Sequence, residues 1–212
     1  MTTSTASLWH DSVTPRPAQK RTGLKVLFLA IGSFFFLFIV AYMTRSEFGD
    51  YQHLTAPWEP LARPVQLWIN TGLLICASLA LQWARTAAPS NRRRSLEGLL
   101  IGGVCTVGFI AGQMAVWVAL RSQGYFFSDN PAFSFFYLLT GLHAIHMLGG
   151  MIAWLLAVAR NLRDSGSDSS RSSIELCAIY WHFLLLIWLI LFALLASSPE
   201  TFEALAAFCG LR

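Results

Sequence analysis

The sequence predicts an all-α, polytopic membrane protein: a bundle of five transmembrane helices, N-terminus in the cytoplasm and C-terminus on the outer side. Three observations carry this. The apolar residues are gathered into long runs rather than spread at a helical period, and a hydrocarbon core about 30 Å thick needs about 20 of them per spanning helix. Only 12% of the 212 residues are charged while 55% are hydrophobic, whereas a water-facing globular domain carries roughly a quarter charged residues. Lys and Arg also fall in alternate connections. Eleven lie in the N-terminal tail (Arg16, Lys20, Arg21, Lys25), the second connection (Arg85, Arg92, Arg93, Arg94) and the fourth (Arg160, Arg163, Arg171). The other side holds four, Arg45, Arg63, Arg121 and Arg212, and such a bias orients membrane proteins with the basic side inside.

In order along the chain, residues 1–23 are rich in Ser, Thr and Pro and read as a mobile polar tail. The first span covers about 24–43. It is too long for a signal-peptide core and no small-residue cleavage site follows it, so it is expected to be retained. A connection with Glu47, Asp50, Pro57, Pro60 and Pro64 leads to the second span, 65–83, with Trp68 and Trp83 as aromatic anchors and Asn70 near one end. The third span, 96–120, contains Gly98, Gly102, Gly108 and Gly112 as two Gly-x-x-x-Gly pairs. Such pairs permit close helix contact, and they suggest a small-residue face turned to a partner. Pro131 opens the fourth span, 132–159, and a Ser-rich connection precedes the fifth, 174–196. The spans thus form one domain, 24–196, followed by a mildly amphipathic outer tail, 197–212.

The net charge of +4 does not point to nucleic acid, because it sits in the topogenic connections. No Cys-x-x-Cys pair is present, and Cys76, Cys105 and Cys177 lie within apolar runs, where thiols behave as small apolar residues. No phosphate-binding glycine loop, nucleophile elbow or metalloprotease helix occurs. All eleven acidic residues fall in tails, connections or span ends. With no mid-membrane carboxylate, a pump or small transporter acting alone is disfavoured.

Three histidines lie within spans: His143 and His146, three apart on one helix, and His182. Together they could ligate a metal, as neutral imidazole often does. A stand-alone haem- or metal-binding electron carrier is one functional reading. Alternatively each hydrogen-bonds a neighbouring helix, with Tyr180, Thr140, Gln113 and Asn70 as available partners. The second reading is favoured because a further class of ligand is missing. Gln113 and Asn70 read as interhelical hydrogen-bonding groups of about 1 kcal/mol each. The 16 Phe and 8 Trp read as bilayer belt and packing rather than a cofactor pocket.

Two blocks carry a family resemblance. Phe135-Phe136-Tyr137-Leu138-Leu139-Thr140-Gly141-Leu142-His143-Ala144-Ile145-His146 closely resembles a signature of subunit III of haem–copper terminal oxidases. Tyr180-Trp181-His182-Phe183 followed by Trp188, with Glu175 upstream, resembles that family's last-helix block. Asn70-Thr71 with Leu73, Leu74 and Ser78, and then Gln113, are weaker matches in the family's order. The resemblance runs from Leu24 to Phe192 and points to the family's short five-helix bacterial form.

It implies a non-catalytic subunit of a bacterial aerobic respiratory oxidase in the inner (cytoplasmic) membrane, fed by cytochrome c or quinol. Such a subunit partners subunits I and II, which hold the haem and copper, packs beside subunit I, and supports its turnover and proton uptake. It would carry no cofactor, metal or small-molecule substrate of its own, bind no nucleic acid, and sit among membrane lipids with room for a bound phospholipid. The histidines would then be structural, with His143, His146, His182 and Tyr180 holding spans four and five together. An accessory subunit of nitric-oxide reductase fits the same residues. The chain also departs from the family pattern. Ala30-Ile31-Gly32-Ser33 stands where many members have a buried glutamate, Val116 where Gln-x-x-Glu-Tyr has its acid, and Leu185 where an aspartate follows the last-helix block. Proton handling through those three carboxylates therefore does not carry over.

Overall fold

The computed structural model describes residues 17–47, 65–124, 131–163 and 167–196. The tail 197–212 and most of the tail 1–23 lie outside the described residues. Five helices follow one another: α1 (Pro17–Glu47), α2 (Val65–Ala87), α3 (Arg92–Ser122), α4 (Pro131–Arg163) and α5 (Asp168–Ala196). Each is long and apolar enough to cross a membrane. Even α2, the shortest at 23 residues, reaches roughly 34 Å at 1.5 Å per residue.

Polar contacts show which helix ends lie together. Glu175 near the start of α5 pairs with Arg21 of α1 at 2.8 Å and Arg85 of α2 at 2.9 Å. The Arg92 guanidinium donates to the Leu162 carbonyl, and that of Arg171 to the Pro89 carbonyl. The start of α1, the α2–α3 turn, the end of α4 and the start of α5 thus share one end, where Arg21, Arg85, Arg92 and Arg171 gather. At the other end Tyr42 of α1 meets Phe135 of α4 edge-on at 5.4 Å. The helices therefore alternate in direction. This is the alternation that the charge pattern predicts.

The α2–α3 pair is a tight hairpin. The Asn91 N–H donates to the Ala87 carbonyl, and the Asn91 side chain caps α3 by accepting from the Arg94 N–H at 3.1 Å. Small residues then let the two backbones approach. A Cβ on Gly98 would stand 2.8 Å from the Ala80 carbonyl oxygen and 2.9 Å from the Ala84 nitrogen, and one on Gly102 would stand 2.9 Å from Leu81 Cγ. The glycines of α3 therefore do not form an outward face for a partner, as the sequence suggested. They are used inside the chain: Gly98, Gly102 and Gly108 against α2, Gly112 against Asn70 of α2, and Gly103 against Trp154 of α4.

Bulky residues fill the centre. Trp181, Trp188, Phe109, Phe136, Leu74, Leu139 and Met147 are all buried. By contrast, α1 lies at the edge and packs a single stripe. Phe28 stacks on Phe183 at 4.3 Å, Phe35 meets the His146 ring at 5.6 Å, and Ile31 and Tyr42 are buried on the same side. The spacing of 28, 31, 35 and 42 keeps them on one helix face. Leu29, Phe34, Phe36 and Leu37 point away, Leu29 being 73% exposed, as befits a lipid-facing surface.

Candidate functional site: the polar interior

In hydrocarbon a polar side chain needs a partner within the protein. The spans meet this need with a repeated device. A threonine hydroxyl donates to the carbonyl four residues back on its own helix and accepts an indole N–H from another. Thr71 donates to Leu67 O and accepts from Trp188 at 3.0 Å, joining α2 to α5. Thr106 donates to Gly102 O and accepts from Trp181 at 3.0 Å, joining α3 to α5. Thr140 donates to Phe136 O and accepts from Trp117 at 3.3 Å, joining α4 to α3. The intrahelical bond uses the hydroxyl proton and leaves a lone pair facing outward, matched to indole, which only donates. A fourth indole, of Trp154, donates directly to the Leu99 carbonyl at 2.8 Å.

This device corrects the reading of tryptophan as belt and packing. Trp68 and Trp83 are exposed as anchors would be, but Trp117, Trp154, Trp181 and Trp188 are interhelical donors. The available signal was a threonine or a tryptophan in the middle of a span, away from the interface where aromatic belts sit.

The histidines take three different roles. His182 faces α2, where its Nδ1 lies against Ser78 Oγ and its Nε2 is 3.1 Å from Gln82 Oε1. An amide oxygen only accepts, so the ring donates from Nε2 and accepts the Ser78 hydroxyl proton at Nδ1. With the Arg85–Glu175 pair and the Thr71–Trp188 bond, these contacts make a polar seam down the antiparallel α2–α5 contact. His182 thus holds α5 to α2, not to α4 as the sequence suggested. The ring lies on the side of α5 that meets Ser78 and Gln82.

His146 donates from Nδ1 to Leu142 O on its own helix at 2.7 Å and packs toward Phe35 of α1. Its backbone carbonyl accepts the Tyr180 hydroxyl at 3.0 Å. That bond joins α4 to α5, and Gly150 makes room beside it for the Tyr180 and Trp181 rings. His143 is 1% exposed, tilted against Trp188 at 5.3 Å and edge-on to Phe109 at 6.0 Å. Neither of its ring nitrogens has a hydrogen-bond partner among the described residues. The expectation that each histidine bonds a neighbouring helix therefore holds for His182 alone. Of the partners expected from sequence, only Tyr180 meets a histidine, and it does so through backbone.

Because the three rings turn toward three different neighbours, they do not converge. Among the described residues no group of three or more His, Cys, Asp or Glu could hold a metal ion. Asn70 and Gln113, both buried, bring their amides to 3.4 Å across the α2–α3 interface. Turned over, the Asn70 amide donates to Gln66 O at 3.3 Å and accepts the Gln113 backbone N–H at 3.2 Å. Either way Asn70 sits against α3 where Gly112 leaves space for it. Gly141, one residue past Thr140, lies beside the Trp117 ring, 3.7 Å from where its Cβ would be. The signature residues Thr140, His143, Trp181 and Trp188 therefore lie in one buried assembly with Thr71, Thr106 and Phe109. Glu175 sits at its arginine-rich end. Val116 is buried in the apolar core.

These features define a multi-pass, all-helical membrane protein whose interior polar groups serve chiefly to join its own helices. Comparison with known proteins makes the assignment specific. The family model for cytochrome c oxidase subunit III matches residues 14–197. Relatives named cytochrome c oxidase subunit 3 include one from Rhizopus stolonifer, 31% identical over 172 residues, covering 79% of this chain and 60% of that protein. One from Drosophila yakuba is 27% identical, covering 81% and 66%. One from Thermostichus vulcanus is 28% identical, covering 79% and 86%. The chain belongs to the cytochrome c oxidase subunit III family. It spans less than two thirds of the length of the Rhizopus and Drosophila relatives.

Proposed function

We propose that the chain is a non-catalytic third subunit of a bacterial respiratory haem–copper oxidase. In this reading it lies in the inner membrane beside subunit I, with its arginine-rich end in the cytoplasm and its C-terminus outside. Haem and copper belong to subunits I and II, and this subunit sustains their turnover and proton uptake during electron transfer to oxygen. The observation that carries the reading is what the two signature blocks do in the fold. Thr140 and Tyr180 tie helices together, Trp181 and Trp188 lock α5 to α3 and α2, and the three histidines turn apart. That is the chemistry of a scaffold.

The chain's contribution to proton uptake is then indirect. Every described acidic side chain lies toward a helix end, Glu97 pairing with Arg93 and Glu175 with Arg21 and Arg85. A stiff helical wall can exclude lipid and water from a partner's surface and hold a proton entrance in shape without carrying the proton itself.

The test is purification in mild detergent, with mass-spectrometric identification of accompanying chains and a reduced-minus-oxidised spectrum. The reading expects a haem–copper subunit I in the complex and a colourless chain once it is stripped. A catalytic subunit of nitric-oxide reductase in its place would move the chain to that complex. A stripped chain that still carries haem or metal would overturn the proposal.

A further inference from the structure

The α2–α3 hairpin brings two cysteines to the same depth near the centre of the spans. Cys76 is the central residue of α2 (Val65–Ala87), and Cys105 lies near the middle of α3 (Arg92–Ser122). Their register follows from the glycine contacts. Gly102 lies against Ala77 and Leu81, and Gly108 against Leu73, and antiparallel helices pass each other residue for residue. Position 105, midway between the two glycines, therefore faces the stretch of α2 that holds Cys76. Each cysteine is also on the contacting side of its helix. Cys105 is three positions from both Gly102 and Gly108, and Cys76 is three from Leu73 and four from Ala80. The two thiols are near enough to interact electrostatically. Cys76 is exposed and Cys105 half-buried, so the pair lies at the edge of the seam and not in the core. Around it Leu79, Ile101 and Val104 are all exposed, which makes this edge a lipid-facing one. Cys177 of α5, by contrast, is buried.

We infer that Cys76 and Cys105 are a redox pair that takes up lipid peroxyl radicals and closes to a disulfide across the α2–α3 seam. Charge is costly in hydrocarbon, and ordinary thiol–disulfide chemistry starts from a thiolate, so the ionic route is closed at this depth. Hydrogen-atom transfer moves no charge. The first peroxyl radical takes a hydrogen atom from one thiol, becoming a hydroperoxide and leaving a sulfur radical. A second does the same at the neighbouring thiol, and the two sulfur radicals join. Two thiols and two peroxyl radicals thus give two hydroperoxides and one disulfide. The pairing is what ends the radical chain, because an isolated sulfur radical would pass its reactivity to the next unsaturated acyl chain. Closure needs Cα atoms about 4.4–6.8 Å apart. The small residues on either side, Gly98 and Gly102 before Cys105 and Gly108 after it, hold the two helices close at this level. The inference requires only that the chain spans a bilayer, so it stands or falls independently of the oxidase assignment.

The experiment uses the full chain carrying Cys209→Ser, with any chains that accompany it, in vesicles of dilinoleoyl phosphatidylcholine. A lipid-soluble azo initiator supplies peroxyl radicals at a constant rate, and conjugated dienes report oxidation of the lipid. Remaining thiols are then blocked with maleimide and the unreduced peptides mapped by mass spectrometry. A linked Cys76–Cys105 peptide should accumulate during a lag in diene formation. That lag should shorten to that of the cysteine-free background in Cys76→Ala and in Cys105→Ala, and persist in Cys177→Ala. Should an alanine variant fail to fold, the linked peptide in the chain with both cysteines decides alone. Lipid oxidation without a linked peptide would overturn the inference, as would a lag that survives Cys76→Ala. So would equal linkage by aqueous hydrogen peroxide in saturated vesicles, which would mean that thiolate chemistry forms the bond.

Discussion

Gly98→Ala isolates the close approach that builds the α2–α3 hairpin. The added Cβ would stand 2.8 Å from the Ala80 carbonyl oxygen and 2.9 Å from the Ala84 nitrogen. Both are backbone atoms on an adjacent helix, so no side chain can swing aside. Restoring an ordinary separation requires the helices to part by about half an ångström. That loosens the packing of Gly102 on Leu81 along the same contact. Overpacking of this kind costs roughly 1–3 kcal/mol, while Gly→Ala in a helix interior regains up to about 1 kcal/mol in propensity. Gly72→Ala on α2 provides the reference, because nothing lies within 4 Å of its Cβ position. Both variants gain the propensity term, so their difference reports the clash alone. In mixed micelles unfolded by increasing dodecyl sulfate and followed by circular dichroism, Gly98→Ala should be less stable than Gly72→Ala by about 1–3 kcal/mol. Coincident midpoints would refute the close-approach argument.

Other expectations concern the polar interior and are read on the same unfolding curves unless stated. Trp188→Phe keeps an aromatic ring but loses the bond to Thr71 and the volume of the indole's second ring, and should cost at least about 0.6–1.7 kcal/mol. Thr71→Val should cost a similar amount, with the double variant well short of the sum; strict additivity would count against the bond. Replacing His143, whose ring nitrogens have no partner among the described residues, with Phe should leave stability unchanged or raise it, because a buried unpaired polar group costs about 1–3 kcal/mol. His182→Leu should destabilise, since it strands Ser78 and Gln82. In the purified complex, His146→Leu and His182→Leu should leave every haem band in place, and a lost band would make these residues ligands. Glu175→Gln should cost less than about 1 kcal/mol, because the pair partners are partly exposed. That cost should shrink as salt is added, and a salt-independent loss would argue against the ion pair.

The number and type of helices were legible in the sequence because both follow from composition along a line. A run of about 20 apolar residues has few stable arrangements other than a spanning helix, and charge placement orients the runs without reference to their packing. The signature residues around Thr140, His143, Tyr180 and His182 were legible too, as motif rather than as chemistry. Which neighbour each one meets was decided only by tertiary structure. His143 and His146 are about 60° apart on α4, enough to bury one ring against Phe109 and Trp188 and turn the other toward Phe35. The Gly-x-x-x-Gly pairs of α3 gave the property of close approach but not its direction, and it is the short α2–α3 turn that brings Ala80 and Ala84 against Gly98. The pairing of Thr71, Thr106 and Thr140 with tryptophans on other helices joins residues up to 117 positions apart. No local pattern encodes such a partnership, since it depends on the rotation of each helix about its axis, and that rotation is settled by packing all five together.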